Sequence, residues 1–153
     1  MKKINIVVLN GSTFLGLDRS IKEKINHDNL SVHIVDINRF VCKDVDMDSN
    51  RPDVVWINTT SRDLIKQGTN SFPSILESIW SLIPEDSIVI QNNFEFCRHS
   101  ISSNRIVEIN QKIENRSKSI KNFYLCNINK ISNNVGLQNW YNDEYWYSFK
   151  IPY

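Results

Sequence analysis

The sequence predicts a three-layer α/β/α domain built on a five-stranded parallel sheet, and three observations carry that expectation. Short runs rich in Val and Ile recur at nearly regular intervals along the 153 residues. Helical patterns stand between them, the alternation expected of strands joined by crossover helices. The runs also lack strict polar/apolar alternation, which suits strands covered on both faces.

The first strand spans residues 4–9, Ile4-Asn5-Ile6-Val7-Val8-Leu9, and breaks into the small-residue turn Asn10-Gly11-Ser12-Thr13-Phe14-Leu15-Gly16. Leu15 to Asn26 follows with apolar residues at Leu17, Ile21 and Ile25, a spacing that predicts an amphipathic helix. A second strand covers 31–35. The polar stretch from Cys42 to Pro52 reads as one surface loop, and the third strand covers 53–58. Another helix begins near Ser71-Phe72-Pro73, where proline is tolerated in a first turn, and carries Ile75, Leu76, Ile79, Trp80 and Ile83 up to Pro84. The fourth strand covers 87–91. A helix from Ser103 to Ser119 carries the stripe Ile106, Ile109, Ile113 and Ile120, and the fifth strand covers 122–126. The tail from Asn139 to Tyr153 is aromatic-rich around Asp143.

Composition narrows the classes of function. A chain of this length fits one domain, residues 1–153. Eighteen basic and 17 acidic residues leave a net charge of +1, so nothing steers the protein to nucleic acid or an anionic membrane. Cys42, Cys97 and Cys126 show no CxxC spacing, which argues against a disulfide framework and a zinc site. With no long apolar run and no signal-peptide pattern, the expected compartment is the cytoplasm. The alternating carboxylates of Asp44-Val45-Asp46-Met47-Asp48 look like half of a calcium loop. That loop needs Gly at its sixth position and Glu at its twelfth, where Ser49 and Val55 stand. Neither a metal nor a cofactor is expected.

In open parallel sheets ligands bind beyond the carboxyl ends of the strands. The residues delivered there are Asn10, Gly11 and Ser12, then Asp36, then Asn58, Thr59, Thr60, Ser61 and Arg62, and finally Gln91, Asn92 and Asn93. This rim is polar with few charges. It offers hydrogen bonds to an acyl or sugar-like group and no acidic cluster for a metal.

Those residues carry a resemblance to the SGNH, or GDSL-like, hydrolase superfamily. Leu9 to Gly16 resembles its first block and puts Ser12 at the nucleophile. Thr60-Ser61-Arg62-Asp63 stands where its third block belongs, with Arg62 in place of the oxyanion-holding Asn. Asp143-Glu144-Tyr145-Trp146 resembles the last block, keeping Asp143 and replacing the general base with Trp146. The resemblance implies a flavodoxin-like sheet of strand order 2-1-3-4-5. A more specific resemblance rests on Arg51-Pro52-Asp53-Val54-Val55-Trp56, Ser61-Arg62-Asp63-Leu64, Val89-Ile90-Gln91-Asn92-Asn93-Phe94-Glu95 and Trp140 to Tyr153. These are similar to the SGNH-like N-terminal region of FkbH-like proteins, which join it to a phosphatase-fold domain of the haloacid dehalogenase type. Several of those proteins load a glyceryl unit onto an acyl carrier protein. The resemblance implies an acyl carrier protein or a phosphatase-type enzyme as partner, and an acyl or phosphorylated small molecule as ligand.

A serine hydroxyl is a weak nucleophile unless a neighbouring group takes its proton, and an indole only donates a hydrogen bond. His27 and His33 fall at a helix end and inside a strand. His99 follows the fourth strand on the Ser12 side and is the replacement base that can reach the pocket, and Asp143 is the remaining catalytic candidate, read either as a pocket residue or as a turn residue of the aromatic tail. Arg62 presents planar, permanently charged donors that suit a carboxylate or phosphate. Three readings follow: an altered SGNH-like domain handling an acyl or glyceryl group, a non-catalytic docking module for a carrier or phosphatase-type enzyme, and an atypical esterase using Ser12. If Arg62 holds an anion, phosphate or glycerate raises the melting temperature and Arg62→Ala removes that rise. An equal rise in the variant overturns the assignment.

Overall fold

The computed structural model describes residues 3–10, 29–41, 51–60, 63–64, 68, 70–94 and 103–135. Its strands are β1 (Ile4–Asn10), β2 (Leu30–Asp36), β3 (Val54–Asn58), β4 (Ile88–Asn92) and β5 (Phe123–Cys126). They form one five-stranded sheet in the order β2-β1-β3-β4-β5, every neighbouring pair parallel. The expected sheet and its order are therefore present. The helix expected over 15–26, His27, the loop residues 42–50 and the aromatic tail lie outside the described residues.

Between and after the strands stand α1 (Ile37–Val41), α2 (Phe72–Leu82), α3 (Ser103–Ser119) and α4 (Ile128–Val135). α2 carries Pro73 in its first turn, where the missing N–H is no loss. It stops at Ile83, whose extended backbone (φ −82°, ψ 130°) is what the steric demand of Pro84 imposes on its predecessor. Before α2 the chain turns through Gly68 at φ +83°, a conformation that disfavours side chains, and the Ser71 hydroxyl donates to the Gly68 carbonyl at 3.1 Å. α3 buries Ile106, Ile109 and Ile113. Ile120, expected to complete that stripe, lies beyond the helix end and is 42% exposed, because the chain has already turned towards β5.

Register and alternation put Val7 and Leu9 of β1, Val55 and Ile57 of β3, Val89 and Gln91 of β4, and Phe123 of β5 on one sheet face. All are buried. α2 packs there: its Trp80 meets Phe123 edge to face at 6.0 Å and donates from Nε1 to Gln91 Oε1 at 2.8 Å. Phe72 meets Phe94 in the same edge-to-face manner at 5.3 Å. Helices α2 and α3 are joined by Lys112 to Glu77 at 2.8 Å and by the Arg116 guanidinium stacked 4.5 Å from the Trp80 ring centre. Among the described residues, no helix is long and apolar enough to cross a membrane.

The burial pattern of α3 predicts a sharp contrast along one helix. Ile113→Ala removes a fully buried side chain and lowers unfolding free energy by about 2–5 kcal/mol. Val107→Ala, at a position 49% exposed, changes it by about 0.5 kcal/mol or less. Chemical denaturation of both variants checks this.

Candidate functional site

At the carboxyl ends of three adjacent strands the chain sets Asp36, Asn10 and Asn58 side by side. Asn10 is the register partner of Asp36 on β2 and of Asn58 on β3, so the three side chains leave the sheet on one face. All are half-buried. Asn58 Nδ2 donates to Asn10 Oδ1 at 3.3 Å. With the amides oriented this way, the Asn10 amino group still offers N–H donors and Asn58 Oδ1 still accepts. A donor, an acceptor and a carboxylate thus stand in line across the carboxyl ends of β1, β2 and β3.

The rest of the expected rim serves the backbone. Asn92 is buried, and its Oδ1 accepts from Thr59 N at 3.1 Å while its Nδ2 donates to the Thr59 carbonyl. The same Nδ2 reaches the Asn93 carbonyl at 3.2 Å. A primary amide that bonds both polar groups of one residue imitates a rung of the sheet ladder just past the end of β3. Asn93 Oδ1 accepts from Ile128 N at 2.7 Å and its Nδ2 donates to Asn127 Oδ1 at 3.0 Å. Asn127 Oδ1 also accepts from Lys130 N at 2.9 Å, the bond of a helix N-cap opening α4. Beyond it, Asn110 of α3 clips Phe94 through both its N–H and its carbonyl, at 2.7 and 2.8 Å.

Thr60 belongs to a helix start. Asp63 Oδ2 accepts from Thr60 N and from Thr60 Oγ1, each at 2.9 Å, and the Thr60 carbonyl accepts from Asp63 N at 3.0 Å. This is half of a capping box: the acidic residue reaches back to the Thr60 amide, while the Thr60 hydroxyl donates to the same carboxylate instead of accepting from Asp63 N. The Thr-x-x-Asp spacing is visible in the sequence and signals it. Asp63 is only 3% exposed, its charge held by those donors and by the helix N-terminus.

Of the residues expected to form a site, Asn10, Asp36 and Asn58 come together in one row. Asn92, Asn93 and Thr60 stand at the same end of the sheet in the backbone brackets just described. Gln91, which opened the fourth strand's share of the rim, points into the α2-covered face instead. It is fully buried against Trp80, because successive strand residues alternate sides. Gly11, Ser12, Arg62, His99 and Asp143 lie outside the described residues, as does Trp146. His33 of β2 is exposed, with Nε2 3.0 Å from Ser31 Oγ. At the other end of the sheet, a hydrogen bond from Arg51 holds the exposed Asp86 carboxyl below its ordinary pKa.

The fold defines a parallel α/β domain with a polar row, Asp36, Asn10 and Asn58, at the carboxyl ends of β2, β1 and β3. A solved structure similar to it is the N-terminal part of the protein BF1531 from Bacteroides fragilis, containing a phosphatase domain and complexed with Mg. The likeness has a TM-score of 0.71 at 16% identity, over 99% of this chain and 47% of that one. The chain thus spans about half the length of that structure. No protein-family model matches the sequence, and no curated protein does.

The Asn92 bracket predicts a pH-dependent loss of stability in Asn92→Asp. The substitution keeps the acceptor for Thr59 N but turns an N–H donor into an oxygen facing the Thr59 and Asn93 carbonyls. Only the protonated carboxyl can donate there, so its folded-state pKa rises above the unfolded value of about 3.9. The fold then holds a proton that the unfolded chain has released. Stability falls as pH rises from about 4 through the folded-state midpoint, reaching a deficit of roughly 3 kcal/mol or more near neutrality. Urea melts at pH 4 and pH 7 measure it; equal losses at both overturn the bracket.

Proposed function

We propose that the protein is an SGNH-like domain of the FkbH-like kind that recognises an acyl or glyceryl group, presented on an acyl carrier protein, in a biosynthetic pathway of secondary-metabolite type. The observation that carries this reading is the Asp36–Asn10–Asn58 row. Two neutral amides, already joined at 3.3 Å, offer one donor side and one acceptor side to a hydroxyl or carbonyl. Such a pair suits a polar, uncharged acyl or glyceryl unit, with Arg62 assigned to an anionic end of the ligand. Ser12, two residues beyond Asn10 in sequence, is then a nucleophile or a hydrogen-bond donor to the same ligand. Likeness of fold to a protein part containing a phosphatase domain supports the association with such enzymes.

A second reading is a non-catalytic docking module for the carrier or for a phosphatase-type enzyme. Trp146 in the position of the general base favours it, since an indole takes no proton from Ser12. A serine esterase using Ser12, with His99 and Asp143 as base and orienting acid, is the third.

The test is binding of a glyceryl-loaded carrier protein by calorimetry. Asn58→Ala removes one polar partner worth about 1 kcal/mol and weakens binding roughly fivefold to tenfold, while unloaded carrier binds both proteins alike. Equal binding of loaded and unloaded carrier favours the docking module. Cleavage of nitrophenyl acetate that falls to background in Ser12→Ala favours the esterase.

A further inference from the structure

A second cavity lies at the opposite end of the sheet, where β4 and β5 begin. Its volume is about 420 Å³, within the range of small-molecule sites. Val89 and Phe123 form its floor, Ile83, Pro84 and Ile120 its apolar walls, and Arg116 lines it from α3. Arg116 is held by stacking on Trp80 at 4.5 Å, and among the described residues its guanidinium makes no ion pair. A guanidinium held over an indole is partly ordered before any ligand arrives, and its N–H groups suit a carboxylate in bidentate fashion.

We propose that this cavity binds a monocarboxylate carrying a small apolar body, with the carboxylate on Arg116 and the hydrocarbon against Val89, Phe123 and Ile120. Charge decides between this and a phosphate. Glu85 lines the same cavity, exposed and without an ion pair to Arg116, so one carboxylate already shares the cavity with the guanidinium. A singly charged anion that contacts Arg116 directly tolerates that neighbour, and a dianion is repelled about twice as strongly. The Ser87 hydroxyl is committed to the Pro52 carbonyl at 2.7 Å and leaves the anion to Arg116. The apolar floor supplies the remaining attraction, which a bare anion cannot use.

Octanoate is the probe, with octanol as its neutral counterpart and inorganic phosphate as the bare anion. Octanoate raises the melting temperature saturably, and octanol and phosphate do so at least tenfold less effectively. Amide spectra place the perturbation at the Trp80 indole N–H and the Arg116 backbone. Arg116→Gln weakens octanoate at least tenfold. Glu85→Gln strengthens it severalfold, a gain that a damaged fold cannot produce. The proposal is overturned if octanol matches octanoate, if Arg116→Gln binds as well as the parent, or if the perturbations centre on Asn10 and Asn58. It fails equally if octanoate produces no response. A loss of carrier binding in Asn58→Ala leaves these outcomes untouched, since the two sites lie at opposite ends of the strands.

Discussion

The reciprocal pair of hydrogen bonds between the Asn92 side chain and the Thr59 backbone is the constraint on which the carboxyl end of this sheet depends. Parallel strands end with backbone groups that have lost their ladder partners, and a buried peptide left unpaired is costly. Asn92 supplies a side-chain amide where the next peptide of β4 would have been. With Thr59 held, Thr60 starts in the geometry that its two hydrogen bonds to the Asp63 carboxylate require. With the β4 end fixed, Asn93 reaches the start of α4, and Phe94 is clipped by Asn110 from α3. The Asn10–Asn58 pair is therefore mounted on a rim anchored at β3, β4, α3 and α4.

The sheet was legible because its strands announce themselves by composition: Val54, Val55 and Ile57, or Ile88, Val89 and Ile90, have no helical period and no polar partner at alternate positions. The long helices were legible for a comparable reason, as three buried isoleucines of α3 recur every three or four residues. α1 and α4 were not. Five residues of α1 are too few to display a period, and Ile128–Val135 is rich in Asn, Ser and β-branched residues with little helix propensity. α4 starts where it does because Asn127 caps it locally and Asn93 satisfies the Ile128 amide from 35 residues away, and the second bond is one that no local pattern records.

Site residues were harder to read for one physical reason: an asparagine at a strand end looks the same in sequence whether it faces a ligand or its own backbone. Asn10 and Asn58 leave polar atoms uncommitted, while Asn92 and Asn93 spend theirs on the chain. The distinction lies in what stands within 3 Å, and that depends on strand order. Gln91 makes the same point from the core side. Its place at the end of the fourth strand predicts a rim residue, yet it serves as the acceptor for Trp80, and its Nε2 is buried without a partner.

The placement of β1 has a further consequence for how the chain reaches this state. β1 precedes the other four strands of this sheet in sequence and sits between β2 and β3, so its second neighbour arrives 48 residues later, the span that separates Asn10 from Asn58. Until then one whole edge of Ile4–Asn10 carries unpaired amides beside Val7, Val8 and Leu9, which are buried in the finished fold. Pairings this distant in sequence slow folding, and an open apolar edge invites pairing with another chain. The emerging sheet is thus exposed to aggregation while β1 waits for β3, an interval set by connectivity rather than by the strength of any single contact.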